Sequence, residues 1–147
     1  MTETAKSSVG RLSLGYRLVL AGTGALGLAL LITAGMLRPD PRGYGTHEQL
    51  GLSKCWFQQT TGHVCPMCGA TTAWAYAVRG DVVRAASVHL AGTLLCAAVA
   101  ISAPWLFASS VAGRWIVGRP ALEPVLWAAA IWFLVVVLDW AHHWWLG

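Results

Sequence analysis

The sequence predicts an all-α polytopic membrane protein with about three transmembrane helices and a short interfacial half-helix after a cysteine loop. Two observations lead there. Of 147 residues, 56% are hydrophobic and only 11% charged, where an ordinary soluble domain carries about 25% charged residues. Three long stretches are also almost free of charge, and mean hydropathy is +0.58. So few charges cannot solvate a single domain of this size, so most of its surface must meet lipid or protein. This argues against a soluble enzyme, a disordered tail and a nucleic-acid binder. The net charge of +4 comes from ten Lys/Arg against six Asp/Glu. They are scattered, with no run to track a phosphate backbone. The expected partners are the lipid bilayer and other membrane subunits or a second copy of the chain, with no nucleic acid.

A flexible N-terminal segment is expected over 1–13, then one membrane domain over 14–147. The first span is placed at about 15–37. Between Leu18 and Leu37 there is no charge, and about 20 residues make about 30 Å of helix, the thickness of the hydrocarbon layer. Arg17 and Arg38 flank it. The run is long for a signal-peptide core, and no A-x-A site follows. Ala21, Ala25, Ala29 and Thr33 recur four residues apart, a small-residue stripe for close helix packing. Within the span, Gly22-Thr23-Gly24-Ala25-Leu26-Gly27 spells a dinucleotide fingerprint. That motif requires a preceding strand and a later acidic residue; apolar residues surround it here, so it is rejected.

The segment 38–70 reads as an irregular loop opened by Pro39, Pro41, Gly43 and Gly45. A short helix follows at 71–79. Gly80 is placed to end it in the left-handed conformation and Asp81 to cap the next one, which makes Arg79-Gly80-Asp81 a corner between helices. The second span is expected at about 86–112, with Pro104 inside it. The third is expected at about 122–145, opened by Pro120 and Pro124 and closed by a tryptophan-rich interfacial belt. Lys/Arg counts are five on each side, and the short loops favour the N-terminus inside.

The loop holds Cys55, His63, Cys65-Pro66-Met67-Cys68-Gly69. In a metal knuckle, proline stiffens the turn and glycine takes a positive φ. Both thiolates then meet one zinc-like ion, and a closed site needs four ligands. Cys55, Cys65 and Cys68 are the expected ligands, with His63 as the fourth or His47 in its place. In a redox reading, the C-x-x-C pair stands at a helix start that lowers a thiol pKa, with Cys55 as resolving thiol. In a third reading, a disulfide from Cys55 to Cys65 or Cys68 clasps the loop, worth on the order of 3 kcal/mol. Cys96, among leucines and alanines in mid-span, reads as a small hydrophobe. His89 and Asp139 are ionisable groups near span ends, where pairing or interfacial hydration is expected. Asp139, His142 and His143 share one helical face at metal-ligand spacing, with snorkelling and hydrogen bonding the expected use.

Gly45-Thr46-His47, Gly51-Leu52, Cys55, Thr61-Gly62, Cys65-Pro66-Met67-Cys68-Gly69-Ala70-Thr71-Thr72 and Arg79-Gly80-Asp81 together resemble a signature. It is that of domain of unknown function family 2752, small bacterial membrane proteins. The resemblance covers about residues 45–100. It implies a multi-pass protein of the bacterial inner (cytoplasmic) membrane with no established activity. Thr72 stands where many members carry Arg, and His89-Leu90 where an Asn-Pro pair is expected. With no G-x-S-x-G, P-loop or H-E-x-x-H present, the expected function is non-enzymatic. It is a small accessory or scaffold subunit whose loop is fixed by metal or disulfide. The alternatives are a thiol-disulfide oxidoreductase and a small transport module.

Overall fold

A computed structural model describes residues 11–146, and of His143 and Leu146 the backbone alone. The expected segment 1–13 lies mostly outside the described residues. Among those described there is no strand, and three helices are long and apolar enough to cross a membrane. They are α1 (Leu14–Met36), α5 (Leu90–Ala112) and α6 (Leu122–Leu146). Between α1 and α5 lie a 3-10 helix (Thr46–Leu50), α2 (Trp56–Thr61), α3 (Ala70–Ala77) and α4 (Val82–Val88).

The α1–α5 pair is the most extensive contact in the structure. α1 buries Leu20, Gly24 and Ala34, while Ala25 and Ala29 of the expected small-residue stripe face outward. Gly24 and Gly27 of the rejected fingerprint provide the close approach instead. A Cβ on Gly24 would lie 2.8 Å from the Phe107 nitrogen and 2.9 Å from the Ala103 oxygen. Arginines close the two helices' C-terminal ends, where carbonyls lack partners and the helix dipole favours a cation. Arg17 donates from Nε to the Ser110 carbonyl at 2.8 Å. Arg79 reaches the Ala34, Gly35 and Leu37 carbonyls from the end of α3.

The second span is shorter than the uncharged run suggests. The chain turns extended at His89 (φ −162°, ψ 97°), so α4 and α5 are separate helices and only α5 has spanning length. Its register passes through Pro104 without a break in the assigned helix. The corner before α4 forms as expected. Gly80 is left-handed (φ 84°), and the Asp81 carboxylate accepts from the Arg84 N–H at 3.2 Å.

The loop is more ordered than its composition suggests. Asp40 caps its own turn, accepting from the Arg42 N–H at 2.9 Å and pairing with that guanidinium at 2.7 Å. These contacts hold the Asp40 carboxyl below its ordinary range. The 3-10 helix then packs on α3 through Thr46 and Thr72, both fully buried. α6 stands apart, with Leu122, Leu126, Trp127, Ile131 and Phe133 exposed, as suits a surface facing lipid tails. The Trp132 indole N–H donates to the Ala91 carbonyl at 2.8 Å and ties α6 to the start of α5.

Candidate metal centre

Cys55 is the N-cap residue of α2, and Cys65 and Cys68 flank the turn that leads into α3. The turn closes where the Cys68 N–H donates to the Cys65 carbonyl at 3.0 Å and the Ala70 N–H to the Met67 carbonyl at 3.1 Å. Gly69 follows with φ 98°, the positive value expected of the residue after the second cysteine. Its conformation and its closeness to the neighbouring chain both demand glycine, since a Cβ would come within 3.0 Å of the Gly43 carbonyl.

The three sulfurs converge within 4.8 Å of one another, the one such group of three or more potential ligands among the described residues. All three residues are half-buried, and all are free thiols. The Cys65 and Cys68 sulfurs are 2.7 Å apart. A disulfide needs about 2.05 Å, while two thiolates on one tetrahedral zinc stand about 3.8 Å apart, given Zn–S bonds of about 2.3 Å. The pair can therefore open onto an ion or close into a bond with sub-ångström movements of each sulfur.

The electrostatics separate the three. The Gln58 backbone N–H at the start of α2 lowers the Cys55 thiol from its ordinary value, helped by the two neighbouring sulfurs. Burial, with the Cys65 contact second, pushes Cys68 up to about 12. The redox reading expects the thiol at the α3 start to be the acidic one. The lowered thiol is instead Cys55 at the α2 start, where the Gln58 N–H favours its thiolate, while burial raises Cys68.

The two histidines expected as fourth ligand lie outside the group of three. His63 stacks on Trp144, ring centroids 4.0 Å apart and planes inclined by 29°. His47 lines a cavity of about 150 Å³ shared by Cys55, Cys65, Cys68 and Met67. Three soft sulfur ligands and a neighbouring imidazole suit a thiophilic ion such as zinc, with a coordination position left for His47 or an external donor. Cys96 is buried within α5, outside this group. The Asp139, His142 and His143 spacing depends partly on a side chain outside the described set.

One contributor carries no motif signal. His89 is only 4% exposed. Its Nδ1 accepts from the Gly92 N–H at 2.9 Å, so that nitrogen carries no proton, and Nε2–H must donate to the Pro66 carbonyl, also at 2.9 Å. The Asp139 carboxylate stands 3.6 Å from Nδ1. His89, Asp139, Cys65 and Cys68 border a second cavity of about 370 Å³. Its place near a span end marked His89 in the sequence, but nothing there pointed to Pro66. The capping role had a signal, because the resemblance puts Asn at this position and Asn is a strong N-cap.

Residues 55–103 match the model of a family described as protein of unknown function (DUF2752), the family that the motif resembles. No curated protein and no solved structure matches the chain.

Proposed function

We propose that this membrane protein, whose 55–103 segment carries that family's signature, binds a thiophilic metal ion through Cys55, Cys65 and Cys68 and uses it to fix the loop between its first two spans. The observation that carries this reading is the convergence of three sulfurs from two separate turns within 4.8 Å. Burial and the Cys65 contact hold Cys68 in its protonated form, and a bound cation would compensate the thiolate charge there. Zinc suits the donor set, with His47 or an outside donor as fourth ligand. An ion that ties the start of α2 to the start of α3 would hold the loop against the bundle, as expected of a small accessory subunit that presents a rigid face to a membrane partner.

Elemental analysis, intact mass under native conditions and thiol counting on the protein purified without chelators test this. About one metal ion per chain and protection of three thiols are expected, and Cys65→Ser should lose the ion. A stable chain that takes up no added zinc and alkylates freely at all three positions would overturn it.

A second reading is favoured by one observation, the 2.7 Å approach of the Cys65 and Cys68 sulfurs. In this reading the pair forms a disulfide, releasing two protons and two electrons to a substrate disulfide that becomes two thiols. One of the pair forms the mixed disulfide and the other expels the substrate thiol; if Cys55, the thiol of lowered pKa, resolves instead, the product is a Cys55 disulfide to one of the pair. Equilibration in glutathione buffers decides it. A pair that changes state across physiological potentials supports exchange, and one that stays in a single state removes it.

A further inference from the structure

The chain entering the cysteine turn is held from outside at three of the four residues from His63 to Pro66. His63 stacks on Trp144, the Val64 carbonyl accepts from the Trp140 indole N–H at 3.0 Å, and the Pro66 carbonyl accepts from His89. Two of these holds come from α6 and are on the surface. The third comes from a buried ring and falls between the two cysteines. We propose that His89 is a positioning residue of the thiol centre: from the start of α5, its neutral ring fixes the Pro66 carbonyl and thereby the spacing of Cys65 and Cys68.

The ring does two separable things. Through Nδ1 it caps α5, a service to the helix alone. Through Nε2 it grips the Pro66–Met67 peptide, between the two cysteines, and this acts on the centre. Its orientation is not free to drift. The Gly92 N–H holds the inner nitrogen, and a Cβ on Gly92 would lie 3.1 Å from the Ala70 Cα and 3.3 Å from Nδ1. The start of α5, the start of α3 and the imidazole are thus packed without slack. Rotating the ring would break the cap and release Pro66 together. Hydrogen bonds behind the ligands of a metal site commonly set its affinity by one to two orders of magnitude, and this one holds the backbone that carries two of them.

This inference rests on the three thiols working as one centre, and it deepens the metal reading without requiring that a metal be bound. Two substitutions divide the ring's roles. In His89→Asn the amide takes the place of Nδ1 and keeps the cap but falls short of Pro66. In His89→Gln the amide nitrogen takes the place of Nε2 and can donate to Pro66, at the expense of the cap. Zinc affinity is measured by chelator competition and the alkylation rates of Cys65 and Cys68 by mass spectrometry, on full-length protein in detergent. His89→Asn is expected to keep near wild-type thermal stability, bind zinc about 10–100-fold more weakly and alkylate several-fold faster. His89→Gln should melt lower yet stay close to wild type in both chemical readouts. Wild-type affinity and alkylation in His89→Asn, or equal losses in both variants, would overturn the proposal. If the wild type takes up no zinc, the metal reading fails, and the alkylation comparison alone still decides the role of His89.

Discussion

The hydroxyls of Thr46 and Thr72 meet at 2.7 Å, both side chains fully buried. Their contact joins the 3-10 helix of the loop to α3, just beyond the cysteine turn. Thr46 Oγ1 also accepts from the Asp40 N–H at 3.0 Å, so its hydroxyl organises the loop's first turn as well. Thr72→Val removes one hydrogen bond and leaves Thr46 with its Asp40 partner. Thr46→Val removes both and strands a backbone donor. A buried donor or acceptor left unpaired costs about 1–3 kcal/mol, so Thr46→Val should destabilise more than Thr72→Val. Denaturant or thermal unfolding in detergent checks the order, and equal effects would refute it.

The all-helical class with three helices apolar and long enough to cross a membrane, the corner before α4 and the grouping of three cysteines were legible in the sequence. Each follows from a local rule: charge-free length, the Gly80-Asp81 stop and cap, and the turn that C-P-x-C-G makes. The loop's internal order was not legible, because it depends on partners remote in sequence. Thr46 meets Thr72, 26 residues away. His89 reaches Pro66, 23 residues away. The break at His89 was hidden for a related reason, since an uncharged run has the same composition whether it is one helix or two. The placing of His63 beside Trp144 likewise depends on how α6 returns to the loop, which no spacing records.

Arg79 bonds to carbonyls at the end of α1 from the end of α3, and also to the Ala75 carbonyl of its own helix at 2.5 Å. The planar guanidinium spans several acceptors at once, which a lysine ammonium cannot reproduce. Arg79→Ala should destabilise by about 2 kcal/mol, and Arg79→Lys should recover less than half of that. Full recovery by lysine would mean that charge alone matters.

Two glycines of one motif should behave oppositely. At Gly24 an added methyl meets backbone of α5 at 2.8–2.9 Å, and overpacking of this kind costs about 1–3 kcal/mol. At Gly22 it meets nothing within 4 Å, and alanine's better helix propensity is worth up to about 1 kcal/mol. Gly24→Ala should therefore lower the melting temperature while Gly22→Ala leaves it unchanged or raises it. The same result from both would deny the close α1–α5 approach.

Zinc uptake should depend steeply on pH. Cys68 holds its proton up to about 12, so an ion binding at neutral pH must displace it. Each displaced thiol proton makes apparent affinity rise about tenfold per pH unit. From pH 6 to pH 8 the rise should thus be at least about 100-fold, with a matching proton release by calorimetry in buffers of different ionisation enthalpy. For the metal-free protein the sign runs the other way. A thiol raised in the folded state from 9.0 to about 12 contributes stability that is complete below pH 9 and is lost as pH climbs through 12. Alkaline titration should weaken the metal-free fold over that window, and Cys68→Ser should flatten both the decline and the pH slope of zinc binding. A zinc affinity that stays level from pH 6 to pH 8 would show that Cys68 gives up no proton to the ion and is not its ligand.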